Sequence, residues 1–547
     1  MVSNADSPEI AAAAVATGGA SHWQRIESRL LRMGDYLNPI LVKETRQALK
    51  SRYFTVTFGL VLATQWICTI LWLAVEGSAA YHSARGADLF YYYYVILGVP
   101  LAVIIPFATY RSLQAEREDN TYELLSITAL SARQIIAGKM GSALLQMVLF
   151  FSASVPCLAF TYLLRGIDIL TIGLLLYYAL FASVTLSVLG IFFATLTIHR
   201  FAQVLLSILL IIALVFAYFM GFVAGSWGFL SEAVREYSSV EFWITNGIIS
   251  TVDFTYVGML FLAAAAMISF PTENRSTALR WGMLVQHACI AGWCAFFWQY
   301  FGPALEGCLG LMTVLGIYWY LMGALMSGES RHMSERAKRD LPQSFFGRVF
   351  LTWFNPGPMT GYVFTIVNLT SGLLLGCLGI LFVYLEGNAG TSPTSGETFR
   401  FMVLLVSYVV IYLGVGNLIL SPLRSVTRVG WFHSVVVQII LLLVLCLAPL
   451  VIQLWTFSGS SRWDYSFLQI GNPFWSMFHI MDLRGTSWPD VLRIWFVPTI
   501  ALIVFCCNLR PILDDVREVR ILRPRRVQEE DAAMLPIETE PTGPWDD

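Results

Sequence analysis

The segment "EREDNTYELLSITALSARQIIAGK", residues 116–139, stands between two apolar runs, 89–110 and 140–164. What it means depends on what those flanks are. A run of about 20 apolar residues is long enough to cross a bilayer. The alternation of apolar runs and short charged links continues along all 547 residues, of which 57% are hydrophobic and 13% charged. Soluble chains carry about 25% charged residues. The chain therefore reads as an all-α polytopic membrane protein, and 116–139 as a link at a membrane surface.

Twelve spans are expected, near 53–75, 89–110, 140–164, 168–198, 201–224, 252–270, 281–301, 303–327, 361–384, 400–422, 431–455 and 490–508. The run 168–198 is overlong, which predicts tilt or a bend. Lys and Arg set the orientation. With the N-terminus in the cytosol, Arg85, Arg165, Arg235, Arg400, Arg462, Arg484 and Arg493 fall outside, and the rest of the 34 basic residues fall inside. Both termini are then cytosolic. Residues 1–20 lack a basic start and an apolar core, so no cleavable signal is expected. The stretch 1–21 and the acidic, Pro-rich end after Glu529, within the cytosolic tail 509–547, read as disordered. The nine cysteines lie in apolar segments without a CxxC pair and read as packing residues.

Residues 22–37 place Trp23, Ile26, Leu30, Met33 and Leu37 on one helical face, with Arg25, Arg29 and Arg32 off it. Such a helix lies in the interface. Asn38–Pro39 breaks it, because the residue before proline disfavours the helical region. The stretch 22–52 thus forms an interfacial elbow and a lead-in to the first span. A plain basic anchor is the simpler alternative.

Gly138–Lys139 imitates the end of a phosphate-binding loop. Position 133 is Arg where the loop needs Gly, and 140 is Met where it needs Ser or Thr. No nucleotide site, metal site or other cofactor is expected in this chain. What 116–139 does contain is two short helices with start signals. Asn120 or Thr121 caps the first, with Glu116, Glu118 and Asp119 near its positive end. Ser131 caps the second, with Gln134 completing a capping box. A capped hairpin at a membrane surface makes a lever that passes force from a cytosolic partner to spans 2 and 3. A solvated loop with ordinary caps is the alternative.

The pattern E-x-E-x-x-T-x-E-L-L, then T-x-L-S-x-x-Q-I and G-K before a span, resembles the permeases of type-2 ABC exporters, as does "NPILVKETRQALKSR" upstream. The resemblance is specific over about residues 22–160. It implies an elbow helix before span 1, a coupling helix between spans 2 and 3 that docks on a separately encoded ATPase, and an external loop with short re-entrant helices before the last of six spans. By this resemblance the coupling residues are Glu116, Glu118, Thr121, Glu123, Leu124, Leu125, Arg133 and Lys139. ATP would be bound by the partner, so the chain is expected to be a transport subunit and not an enzyme. Its expected place is a cytoplasmic (inner) membrane. Its partners would be the ATPase and the lipid bilayer, with a second copy of itself if the working unit is a dimer, and no nucleic acid.

Six spans suffice for that class, and twelve suggest two halves, 53–270 and 281–508. In each half the long cytosolic loop follows the second span (111–139 and 328–360). The long external loop follows the fifth (225–251 and 456–489). One permease expanded by extra spans is the alternative. The loop 328–360 is basic and lacks the ELL pattern, which fits a positive-inside anchor. The last external loop carries Phe474, Trp475, His479 and Asp482, and resembles the Pro-Phe-aromatic stretch before the final span of the same class. These four are the candidate external gate, against plain interfacial aromatics.

Spans contain Gln65, Gln146, His287, Gln299, Asn368, Asn417 and Gln438, with no Asp, Glu, Lys or Arg expected near a span centre. That argues against a proton- or sodium-driven carrier. His287 reads as an interhelical hydrogen bonder. Gly414 and Gly416 form part of a dinucleotide fingerprint, but position 419 is Ile, so they read as packing residues. A membrane scaffold or sensor that kept the permease fold, and a multispan glycosyl- or lipid-transferase, are the other classes. The first external loop has only Glu76 and Asp88, without the paired acidic motif a transferase would need.

Overall fold

A computed structural model of the chain describes residues 38–77, 85–119, 130–196, 199–232, 237, 239–270, 273–302, 304–330, 338, 345–385, 394–427, 429–456, 467–482 and 488–518, with the single residues 526, 529, 530 and 533. The elbow 22–37 and the link 120–129 lie outside them. Among the described residues the ordered elements are all helical. Eleven helices among the described residues are long and apolar enough to cross a membrane, which makes this a multi-pass helical membrane protein. The chain divides into two compact units, Met1–Ser269 and Phe270–Asp547.

In the first unit, α1 (Pro39–Lys50) starts on Asn38, whose side chain accepts from the Ile40 amide. Pro39 takes the first helical position, where a missing N–H is harmless. Ser51 caps α2 (Arg52–Glu76) through the Phe54 amide. The next helix, α3 (Gly86–Glu118), passes through a π-helical stretch at Pro100–Ile104. Pro100 and Pro106 each remove a ladder donor there, and the pattern slips by one residue. Then come α4 (Ala132–Leu163), α5 (Ile169–Leu196) and α6 (Arg200–Ala217). A second π stretch at Tyr218–Gly225 leads from α6 into the short α7 (Ser226–Glu232), and α8 (Val240–Ile268) closes the unit.

The second unit contains α9 (Thr277–Phe301), α10 (Leu305–Met326), the short α11 (Phe345–Leu351), α12 (Pro358–Leu385), α13 (Ser395–Val426) and α14 (Trp431–Thr456). It ends with α15 (Pro473–Asp482), α16 (Trp488–Cys507) and α17 (Leu509–Glu518).

Both units follow one packing order. The first long helix of each (α2, α9) rests on the second and third (α3 and α4; α10 and α12). The fourth (α5, α13) touches the second, third, fifth and sixth (α3, α4, α6 and α8; α10, α12, α14 and α16). Burial follows the same order. The apolar windows of α5 and α13 are 44% and 67% buried, those of the fifth helices α6 and α14 only 11% and 6%. Small residues let the hub helices close up. A Cβ on Gly190 of α5 would sit 2.8 Å from the Pro106 carbonyl oxygen, and one on Gly416 of α13 would collide with the Gln438 amide. Gly414 and Gly416 therefore serve close helix packing, as expected.

Two expectations need correction. Twelve spans were expected, and eleven helices meet the length and apolarity of a span. The remaining segment, 281–301, is helical within α9 but carries Gln286, His287 and Gln299, which lower its apolarity. The sixth span was placed at 252–270, with 225–251 as an external loop. Instead α8 begins at Val240, capped by the Ser239 hydroxyl on the Phe242 amide, and α7 occupies 226–232.

Candidate functional site

The residues singled out around 116–139 converge on one cluster at the end of the first unit where α1 begins. Lys139, on the first turns of α4, is buried. Its Nζ lies 3.1 Å from Glu44 Oε1 on α1, 3.0 Å from Glu116 Oε2 on α3, and 2.7 Å from Ser112 Oγ. Glu44 Oε2 accepts from the Ser112 hydroxyl at 2.8 Å, and Lys43 Nζ stands 3.2 Å from Glu116 Oε1. Two ammonium groups thus balance two carboxylates across three helices. Burial alone would raise the Glu44 carboxyl, but Lys139, the Ser112 hydrogen bond and Lys43 outweigh it and hold the group below the usual glutamate range.

The surrounding backbone is tied to the same joint. Asn38 Nδ2 donates to the Gln134 carbonyl at 2.5 Å, so the start of α1 is bonded to the first turn of α4. The Ser131–Gln134 capping box forms as expected. Arg117 on α3 donates to the carbonyls of Ala194 and Thr195 at the end of α5, satisfying groups a helix terminus leaves open. Gly138 is a glycine because α1 lies on it: a Cβ there would be 2.8 Å from Ile40 Cβ. The Gly138–Lys139 pair that imitates a phosphate loop is the seat of α1 and the cation of this joint.

Of the candidate coupling residues, Lys139 and Glu116 thus face inward, while Glu118 and Arg133 are exposed. Thr121, Glu123, Leu124 and Leu125 lie outside the described residues. A cavity of about 380 Å³ adjoins the joint, lined in part by Glu44, Glu116, Asp119, Gln146 and Phe150.

The second unit has a comparable joint built from other residues. Arg280, at the start of α9, is fully buried. It reaches Glu329 Oε2 at 2.5 Å, Thr360 Oγ1 and the Gly357 carbonyl at 3.1 Å, and the Trp353 carbonyl, with its guanidinium 5.9 Å from the Phe364 ring centre. Glu329 also accepts the Gly357 amide at 3.0 Å, and Asp515 on α17 accepts the Met359 amide at 2.9 Å. Here one buried cation holds the start of α9, the residue Glu329 just after α10 and the start of α12.

A polar seam joins α5 and α8. Tyr177 donates to Ser250 Oγ at 2.9 Å, Tyr178 donates to Asn246 Oδ1, and Thr185 Oγ1 donates to Asp253 Oδ1 at 2.7 Å. Asp253 lies at the middle of α8, because that helix starts twelve residues before the expected span. This overturns the expectation that no acidic group occupies a span centre. Thr185 is the partner the described residues give it, and it is neutral.

His287 is an interhelical hydrogen bonder, as expected. The Trp319 indole N–H can only donate, so His287 Nδ1 accepts at 3.0 Å and the ring proton sits on Nε2, toward Ser371 Oγ at 3.2 Å.

The candidate gate residues all sit on α15, which follows the turn Phe467–Gly471. Asn472 caps α15 through the Trp475 amide. Tyr408 and Tyr412, near the middle of α13, donate to the Ile470 and Gly471 carbonyls at 2.6 and 2.8 Å. The segment therefore reaches the mid-depth of the bundle. Phe474 is exposed, and Trp475 and His479 are half-buried. The Asp482 side chain is outside the described set.

No protein-family model, curated protein or solved structure matches this chain.

Proposed function

We propose that this chain is the membrane-spanning permease subunit of an ATP-driven exporter, coupled through the link between α3 and α4 to a separate ATPase. One observation carries the reading. Asn38, Glu44, Ser112, Glu116, Gln134 and Lys139 tie α1, α3 and α4 into one joint at the base of residues 120–129. A push on that link is then delivered to three helices together, and from α3 and α4 to the hub α5 they pack against. The repeated packing order of the two units supports a chain with two permease-like halves, working in a cytoplasmic membrane with residues 120–129 on the ATPase side. The chain supplies path and selectivity, and the partner supplies free energy.

The test is mild purification of the full chain, mass spectrometry of what accompanies it, and ATP turnover of the complex. A stoichiometric ATPase is expected. Glu123→Arg is expected to leave folding intact and remove the chain's effect on turnover. Wild-type coupling in that variant sinks the assignment.

Asp253 favours a second reading, a carrier driven by an ion gradient, since an ionisable group deep in a span is expensive and usually functional. Asp253→Asn decides between them. Under the permease reading it leaves ATP-dependent transport in proteoliposomes at the wild-type rate. Under the carrier reading it abolishes transport driven by an imposed proton or sodium gradient without ATP.

A further inference from the structure

At the end of the first unit opposite Lys139, α2, α3 and α7 surround a cavity of about 550 Å³. That is the size of a small-molecule site. Its walls include Trp72, Tyr91, Tyr92 and Trp227, and Glu76 and Asp88 also line it. The Tyr91 and Trp227 rings meet at 74° with centres 5.4 Å apart, and Tyr91 meets Tyr92 at 63° and 5.8 Å. Rings at such angles form the corner of a box, with π faces turned in different directions.

The charges are unequal. Glu76 is paired with Arg85 at 2.5 Å. Asp88, exposed in the first turn of α3, has no cationic partner among the described residues. Among the described residues the cavity therefore carries one uncompensated negative charge beside aromatic faces. Ile67, Leu71 and Val75, which also line it, are exposed along α2, so its mouth meets an apolar flank. An anion is repelled by this set. An inorganic cation would need several oxygen ligands that the aromatic walls do not supply. An organic ammonium group satisfies all the walls at once: its charge faces Asp88 and the rings, and its carbon substituents face the apolar flank.

We propose that this cavity binds the quaternary or alkylated ammonium group of an amphiphile. The group comes either from a free organic cation or from a choline-type lipid headgroup. The site stands independently of any ATPase, so its test does not depend on the permease reading.

The experiment is calorimetric titration of the full chain, in an uncharged maltoside detergent, with benzyltrimethylammonium. Saturable binding is expected, weakened about tenfold or more by Asp88→Asn and by Trp227→Leu. Both positions are exposed, so these variants keep the fold, and an unchanged melting temperature checks it. Competition by added dodecylphosphocholine identifies the lipid headgroup as the source, and its absence identifies a free cation. No saturable binding, or equal binding by the wild type and both variants, overturns the proposal.

Discussion

Lys139→Met destabilises the first unit by about 3–5 kcal/mol, the usual effect of removing one member of a buried ion pair. The loss exceeds that of one hydrogen bond because Glu44 and Glu116 remain, largely buried and facing each other without the ammonium group between them. The triple variant Glu44→Gln, Glu116→Gln, Lys139→Met regains most of the stability, since no buried charge is left without a partner and the remaining Lys43 ammonium is exposed to solvent. Thiol labelling on heating, read by peptide mapping, reports each unit separately. Cys157 is buried in the first unit and Cys308 in the second. Lys139→Met lowers the temperature at which Cys157 labels and leaves Cys308 unchanged. Equal labelling of Cys157 in wild type and variant would show that the joint is not stabilising.

Acid acts on the same joint. The Glu44 carboxyl lies below its unfolded value, so its contribution is complete above about pH 4.3, the unfolded glutamate range. The contribution is lost as pH falls through the lower folded value. The wild type therefore loosens at Cys157 from about pH 4 downward, and the triple variant does not show this step.

Arg280→Met acts on the second unit by the same amount, about 3–5 kcal/mol. It strands Glu329 and leaves the Trp353 and Gly357 carbonyls short of a donor where α9, α10 and α12 meet. Cys308 then labels at lower temperature while Cys157 keeps its wild-type behaviour. Arg280→Lys restores less than half of the loss. One ammonium group cannot reach the carboxylate, both carbonyls and Thr360 from a single position, as the planar guanidinium does. Full rescue by lysine would mean that charge alone, and not the fork of donors, holds the joint.

Some of this was legible in the residues. Long apolar runs determine helices that cross a membrane, because a span must satisfy its own backbone and hide it behind apolar side chains. The capping box at Ser131–Gln134 could be read directly, because capping is local and depends on neighbours three residues apart, whereas Asn38 was read as a break and is the cap of α1. Gly414 and Gly416 were recognised as packing glycines, and His287 as a hydrogen bonder.

Other features needed partners distant in the chain. Hydropathy placed the last span of the first half at 252, with Asp253 at its edge, because Asn246 and Ser250 make the preceding turns look like loop. Those residues are tolerated in a helix because Tyr178, Tyr177 and Thr185 of α5 answer them. Lys139 was read as part of a surface lever and Arg280 as one more positive-inside charge. Whether a charge faces water or a carboxylate some 95 or 49 residues away is decided by helix packing alone. The sequence by itself determined the class, the helices and their caps, since these rest on composition and short-range bonds. Only the tertiary structure decided which charges are buried, which acid lies mid-helix and that both units share one packing order, since these depend on contacts between segments far apart along the chain.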